Sequence, residues 1–552
     1  MDKNFSKPNW PFVVFLALAL WAGFWLVYNA ATFSVTSDET VYGPVGLRML
    51  LKGDKILNNE HPPLNKILSG LFLIPGRFNL EKAYTSVTDY DQWRFGDVYL
   101  YESGNPTDLM MFISRLPSVI LTLILIVSVY LWTKKYLGEW AGVFAAASLV
   151  LNPNILANGA LTTNDLHLTA AVWFLFVGLY NLLKEPKKYS RYIWFGLALG
   201  FVLIAKFSGV YFVALAALIA IVGVIVKKTP WAKIVLGILI SFVLMLALVW
   251  ASYVAIEWRA LLGSRAITIS VPRRGAVEMK NRAHKIFFAP FLRYKEGYNV
   301  VQSHNELGHK SYLDGQFSFE GFRLFFVKTL WYKTPTVLLF LAALGLLLAI
   351  FKKKWVVAEL GAVGIVFVGS ASFSHIHIGV RHILPLFALI SPATGLAVDF
   401  LLNSRRKLLV GFLAILVAFL AVDLALNSPN KISYFSQISG GWREGYKHLS
   451  DSNTDWGQEF GLMIKYVKAH PDRKYIIGFA TGENPIYRGV QYTRIDDLGT
   501  NALCDGLKDG ETLLVSVNVA TGLFGPYPCV SNKIDQADRL GQTYFILEPE
   551  DY

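Results

Sequence analysis

The chain has 552 residues, 54% of them hydrophobic and only 16% charged, and its mean hydropathy is +0.42. Apolar runs of about 20 residues, the length that crosses a bilayer's hydrocarbon core, recur along it and exclude an ordinary water-soluble globule. The net charge of +13 sits largely in short clusters between those runs, a pattern that suits anionic lipid headgroups rather than nucleic acid.

The first apolar run, 10–31, follows Lys3 and Lys7 and has no small-residue cleavage site before a soluble domain. It reads as a retained span with the amino terminus in the cytoplasm. Further spans are predicted at 112–132, 139–157, 163–183, 192–205, 208–226, 234–256, 335–351, 356–373, 383–402 and 408–427, about eleven in all. The run 192–205 is short for roughly 30 Å of hydrocarbon, so its merger with the next run is the competing topology.

Charge separates the two. With eleven crossings, Lys134-Lys135 and the basic stretches 184–191, 227–233, 352–354 and 405–407 (Arg405-Arg406-Lys407) all face the cytoplasm, as the positive-inside rule asks. Merging the two runs inverts the sign downstream. The expected architecture is therefore an α-helical polytopic membrane protein, with a transmembrane domain over 1–427, outer loops at 32–111 and 257–334, and an extracytoplasmic domain over 428–552. Candidate strands at 474–479 and 512–517 and a helix at 456–468 make that last part a small α/β unit. It holds Cys504 and Cys529, either paired in an oxidising compartment or present as two thiols.

The chain carries no Walker loop, dinucleotide fingerprint, HExxH pattern or nucleophile elbow. What stands out is polarity gathered at the outer ends of the spans: Asp38 and Glu39, Arg115, Asn164-Asp165 and His167, Lys206, then His375, His377, Arg381 and His382. Ionisable groups at membrane depth are costly, so a mixed cluster at one leaflet points to a polar cavity for a charged lipid. Each residue also has a plainer reading. Arg115 and Lys206 can snorkel to headgroups, Asp165 can cap a helix, Asp38-Glu39 can be a solvated turn, and His375 with His377 lacks a third metal ligand at fixed spacing. After His61, Pro62-Pro63 enforces a turn, and from Leu64 a helix would set Ile67, Leu68, Leu71 and Phe72 on one interfacial face.

Asp38-Glu39, then His61-Pro62-Pro63-Leu64 and Lys66, resembles the first luminal loop of the protein O-mannosyltransferases, lipid-linked-sugar glycosyltransferases of the GT-C superfamily. Arg115-Leu116-Pro117, Asn164-Asp165 and Lys206-Phe207-Ser208-Gly209 are similar to bacterial members of glycosyltransferase family 39. So are His304-Asn305-Glu306-Leu307-Gly308-His309, Lys333-Thr334-Pro335, Arg381-His382 and Asp451-Ser452-Asn453 with Asp455-Trp456-Gly457-Gln458. The outer loop 257–334 is too short for the β-trefoil domain of the eukaryotic enzymes, and related members glycosylate lipids or envelope glycans.

The resemblance implies transfer of a sugar, with inversion, from a polyprenyl-phosphate donor to a protein, lipid or glycan hydroxyl at the outer membrane face. Asp38 would be the base, and Glu39 would position the acceptor or share the proton. Asp165 would contact acceptor or donor sugar, and Arg115, Lys206 and Arg381 would take the phosphate. His61 and His382 would complete the substrate-binding set, His61 by orienting Asp38 or touching the sugar. The chemistry requires no cofactor or metal, although a divalent ion serves other members of the superfamily. Two alternatives use the same face: a lipid-linked glycan ligase or polymerase, and a flippase or transporter, which would need polar residues at the midplane where these spans are apolar. Trp456 fits a packed residue at a capped helix start better than a sugar platform.

Overall fold

The computed structural model describes residues 9–87, 91–271, 275–404, 406–427, 430–499 and 502–551; Lys3, Lys7 and Arg405 lie outside them. The chain begins with α1 (Trp10–Thr32) and passes into a first long loop containing α2 (Glu39–Lys52), α3 (Leu64–Leu73), α4 (Glu81–Ser86) and α5 (Gln92–Asp97). A helical bundle follows: α6 (Thr107–Leu137), α7 (Glu139–Val150), α8 (Pro153–Asn158), α9 (Asn164–Lys184), α10 (Tyr189–Ala205), α11 (Gly209–Val226) and α12 (Trp231–Leu262). The second long loop contains α13 (Arg282–Leu307) and two hairpins, β1 (Ile267–Val271) with β2 (Gly275–Met279) and β3 (Ser311–Leu313) with β4 (Gln316–Ser318). The bundle resumes with α14 (Phe325–Lys333), α15 (Thr336–Phe351), α16 (Trp355–Ala371), α17 (Pro385–Leu402) and α18 (Lys407–Leu426).

The runs predicted to span fall on helices, not all of them single helices long enough to cross. Among the described residues, seven helices are long and apolar enough to cross a membrane, or eight if α14 and α15, bent by 115°, count as one. The predicted span 139–157 breaks after α7, which has 12 residues, because Asn152 turns its side chain back to cap α8 by accepting from the Asn154 amide at 3.0 Å. The run predicted at 192–205 is α10, separated from α11 by extended backbone at Lys206 (φ −156°, ψ 142°), so the two do not merge.

Burial follows hydropathy with a lipid-like solvent outside. Trp173 and Leu175 on α9, Leu386 and Leu389 on α17 and Val143 and Leu149 on α7 are enclosed at the centre. Leu20 and Phe24 on α1, Val235 and Leu239 on α12 and Leu408 and Ile415 on α18 point outward. That much outward apolar surface is tolerable only in hydrocarbon.

Small residues let the first long loop pack tightly. A Cβ on Gly46 of α2 would lie 2.1 Å from the Lys66 carbonyl oxygen, and one on Gly70 of α3 would lie 2.7 Å from the Gly46 carbonyl carbon. The two helices therefore cross with their backbones in contact, which fixes the helix that begins at Asp38. On α3, Leu71 and Phe72 are exposed while Asn65, Lys66 and Ser69 face inward, the division expected of a helix lying at an interface.

The carboxy-terminal part contains α19 (Gly441–His448), α20 (Phe460–Ala469) and a sheet of β5 (Lys474–Gly478), β6 (Thr493–Arg494), β7 (Glu511–Ser516), β8 (Asp538–Leu540) and β9 (Tyr544–Leu547), in spatial order β6-β5-β7-β9-β8. The pairs β5–β6 and β5–β7 are parallel; β7–β9 and β8–β9 are antiparallel. Alternate residues serve alternate faces: Ile476, Leu513, Val515 and Phe545 pack on one side, and Tyr475, Ile477, Leu514 and Tyr544 pack on the other beneath Phe460 and Met463 of α20. The helix predicted at 456–468 starts four residues late, because Gly457 adopts φ +97° and residues 456–459 form a turn.

Cys504 and Cys529 form a disulfide across 25 residues of sequence. Closing a loop of that size restrains the unfolded chain by about 3 kcal/mol. Reduction with dithiothreitol is expected to lower the urea midpoint of the carboxy-terminal region accordingly, read by limited proteolysis; an unchanged midpoint would mean that the bond carries no stability.

Candidate active site

The polar ends of the helices meet around the start of α2. Asp38 stands at the N-cap position of α2 with helical backbone angles (φ −65°, ψ −28°) and no capping bond. Its carboxylate is instead engaged by Arg381, whose Nη1 donates to Oδ2 at 2.6 Å. Successive helical residues diverge by about 100°, so adjacent carboxylates on a helix start point into different surroundings.

Glu39 is fully buried. It accepts from Arg115 Nε at 2.8 Å and Nη2 at 2.5 Å, from the Thr36 amide and hydroxyl at 3.2 and 3.0 Å, and from the Thr162 amide at 2.8 Å. Arg115 spends its remaining donors on the carbonyls of Ala30, Phe33 and Ser34 at 2.8–2.9 Å. A guanidinium has five N–H groups, and all five of these are directed at protein oxygens. The pair ties together the end of α1, the start of α2, α6 and the turn before α9.

Asp165, in the first turn of α9, accepts from Lys206 Nζ at 2.5 Å through Oδ1, and its Oδ2 lies 3.8 Å from Arg381 Nη1. Lys206 can present itself this way because it lies on the extended segment between α10 and α11. Arg381 occupies a short 3-10 turn, Val380–Ile383, leading into α17. Two carboxylates and two cations thus alternate: Asp38, Arg381, Asp165, Lys206. Asp38 is the more open carboxylate, with 24% of its side chain exposed against 3% for Asp165. Unlike Arg115, both cations keep donating capacity. Lys206 makes one bond of three among the described residues, and Arg381 Nε is buried with no partner among them.

Burial disfavours charge on Arg381, but the carboxylates of Asp38, Asp165 and Asp451 outweigh it and raise the guanidinium above its ordinary range. Burial and then the charge of Lys206 push both His61 and His382 well below the usual imidazole value, so both are neutral donors or acceptors here. His61 Nδ1 is buried without a partner among the described residues. Its carbonyl, with the carbonyl and side chain of Asn58, accepts from Lys66 Nζ at 2.6–2.8 Å, which holds the Pro-Pro turn in place.

Several residues of this site escape a reading of local sequence. Tyr42 lies one helical turn after Asp38, on the same face of α2, with its ring 5.9 Å from that of His61; burial, then the charge of Asp38, keeps its phenol protonated. The i, i+4 spacing is the signal that would have found it. Trp456 is packed, as expected, and is also the floor under Arg381, whose guanidinium carbon stands 4.1 Å above the ring. Asn453 Oδ1 accepts from the Val380 amide at 2.9 Å, and Ser452 Oγ donates to the Ile378 carbonyl at 2.9 Å. The segment before α20 therefore holds the loop that carries Arg381.

Other expected residues have different settings. His377 Nδ1 accepts from the Phe322 amide at 2.8 Å and its ring stacks on Phe325. His167 Nδ1 donates to the Thr163 carbonyl at 2.8 Å. Asp165 caps no helix with its side chain. Among the described residues, no group of three or more His, Cys, Asp or Glu side chains is arranged to hold a metal ion.

Residues 108–250 match the family model described as dolichyl-phosphate-mannose-protein mannosyltransferase. No curated protein matches the chain in sequence. Among solved structures, the chain is similar to ArnT from Cupriavidus metallidurans bound to undecaprenyl phosphate, with 14% identity, 98% of each chain covered and a TM-score of 0.48. It is similar to the oligosaccharyltransferase AglB from Archaeoglobus fulgidus in complex with an inhibitory peptide and a dolichol-phosphate, with 11% identity, 96% of this chain and 73% of that one covered and a TM-score of 0.48. A third likeness, to the S. cerevisiae protein O-mannosyltransferase Pmt1-Pmt2 complex bound to the sugar donor, has 18% identity, covers 46% of this chain and 34% of that one, and has a TM-score of 0.34. Over 108–250, the stretch that supplies Arg115, Asp165 and Lys206, the chain is similar to the dolichyl-phosphate-mannose-protein mannosyltransferase family, in agreement with the motifs at those residues.

Proposed function

We propose that the protein is a membrane glycosyltransferase that moves a sugar from a polyprenyl-phosphate carrier to an acceptor hydroxyl at the extracytoplasmic face. The observation that carries this reading is the partly exposed Asp38 carboxylate, paired with Arg381 and linked through Asp165 to Lys206, two cations with unspent donors where long apolar helices end. Asp38 removes the proton of the acceptor hydroxyl, the oxygen attacks the anomeric carbon from the face opposite the carrier, and the bond from that carbon to the phosphate oxygen breaks with inversion. Lys206 and Arg381 meet the charge that develops on the leaving phosphate, Arg381 through a fork suited to two phosphate oxygens. Asp165 contacts both cations, Lys206 Nζ at 2.5 Å and Arg381 Nη1 at 3.8 Å, and so keeps them together beside Asp38. His61, His382 and Tyr42 line the approach as neutral hydrogen-bonding groups. Glu39 and Arg115, with their bonding capacity filled inside the protein, brace the site and leave the phosphate to the other two cations.

Two features support the orientation. Arg115 and Lys134 are 19 residues apart on α6, as are Asp165 and Lys184 on α9; at 1.5 Å per residue each separation is about 28 Å, one hydrocarbon thickness. The basic helix ends thus lie a membrane away from the acidic cluster, on the side the positive-inside rule assigns to the cytoplasm. Trp456, beneath Arg381, also belongs to the carboxy-terminal part of the chain that contains the Cys504–Cys529 disulfide, and such bonds persist in oxidising compartments.

Arg381→Gln tests the phosphate assignment. Loss of a charge-assisted contact is expected to raise the KM for the polyprenyl-phosphate donor about ten- to hundredfold, measured by initial rates of label transfer. An unchanged donor KM would remove Arg381 from the phosphate site.

A further inference from the structure

Beside Arg381, two other segments bring a second polar group to the site. Helix α13 ends near His304, and the turn after it carries His309; His304 Nε2 and His309 Nδ1 stand 3.4 Å apart. The other ring nitrogen of His309, Nε2, faces Asp451 Oδ2 at 3.9 Å. That gap exceeds a direct hydrogen bond, yet a single hydroxyl oxygen fits it at roughly 2.8 Å from each atom, accepting from the ring N–H and donating to the carboxylate.

Asp451 is held for such a contact. Its backbone adopts φ +60°, a left-handed conformation that costs a residue other than glycine and persists only where the surroundings enforce it. Asn518 does so by accepting the Asp451 amide through Oδ1 at 2.7 Å. The Ser452 amide donates to Asp451 Oδ1 at 2.5 Å, leaving Oδ2 toward His309. The two side chains remain partly open, 31% exposed for His309 and 18% for Asp451. Asp451 also lies within the electrostatic reach of both Arg381 and Asp38.

We propose that His309 and Asp451 form a hydroxyl-binding subsite for a sugar, a positioning pair that fixes one substrate hydroxyl while Asp38 and Arg381 act on the reacting bond. The inference rests on the glycosyl-transfer reading above. A hydroxyl of this kind belongs to the donor sugar or to a glycan acceptor, and kinetics separate the two.

The experiment uses the full chain, purified, with undecaprenyl-phosphate mannose, glucose and galactose as donor probes, and methyl mannoside and a membrane lipid extract as acceptor probes. Asp451→Asn keeps a residue that tolerates the left-handed conformation, and His309→Gln keeps a donor. Each is expected to raise one KM about tenfold with kcat nearly unchanged, and the double variant is expected to add little, because both side chains hold one hydroxyl. A raised donor KM assigns the subsite to the transferred sugar; a raised acceptor KM assigns it to the acceptor. Unchanged KM values in either folded variant, or a fall in kcat alone, would overturn the subsite. No transfer by the unaltered protein from any probe would overturn the glycosyl-transfer reading first, and the subsite with it.

Discussion

Asp38→Asn is expected to lower kcat about 10²- to 10⁴-fold, the span that a positioned general base contributes, with little change in donor affinity. The substitution keeps the size of the side chain and an oxygen for Arg381 Nη1, now 2.6 Å away, so the cluster is retained while the proton acceptor is lost. Single-turnover transfer and binding of fluorescent polyprenyl phosphate, measured on the same preparation, separate the two effects. Transfer at the unaltered rate would sink Asp38 as the base and favour a ligase-type reaction run by Arg and His. Loss of donor binding in parallel with rate would instead make Asp38 a scaffold for Arg381.

The neighbouring carboxylate is expected to behave in the opposite way. Glu39→Gln leaves Arg115 charged and enclosed, and Arg115→Leu leaves Glu39 so; breaking a buried pair by removing one partner costs about 3–5 kcal/mol. Both variants should melt at lower temperature in detergent and accumulate poorly in membranes. Arg115→Lys should rescue little, because an ammonium cannot direct five N–H groups to Glu39 and three carbonyls. A Glu39→Gln protein of ordinary stability but without transfer would mean that Glu39 shares the proton with Asp38, and the brace would fall.

The contrast between these two adjacent acids shows where the sequence is legible and where it is not. Their position at the exit of the first apolar run marks both as costly, and helical geometry separates their directions, but neither fact names their partners. Arg381 lies 343 residues from Asp38 and Arg115 lies 76 from Glu39, and only the folded bundle brings them together. Hydropathy locates the helices because the lipid-facing and enclosed sides of a span are both apolar. It overlooks the break after α7, where one asparagine side chain redirects the backbone. In the carboxy-terminal region, short continuous apolar runs reveal β5 and β7, since both faces of the sheet are covered. Trp456 and Asn453 are hidden for another reason: their contacts are with a loop between α16 and α17, and no local pattern encodes that meeting. Tyr42 was within reach, because its spacing from Asp38 places it on the same face of α2.

The most direct measurement reconstitutes the purified chain in vesicles with a polyprenyl-phosphate sugar labelled in the sugar and follows both halves of the donor by mass spectrometry. A new glycoside of inverted anomeric configuration is expected, formed one for one with free polyprenyl phosphate and absent with Asp38→Asn. Donor that stays intact while moving between leaflets, or transfer of a whole oligosaccharide with no dependence on Asp38, would contradict glycosyl transfer with Asp38 as the base.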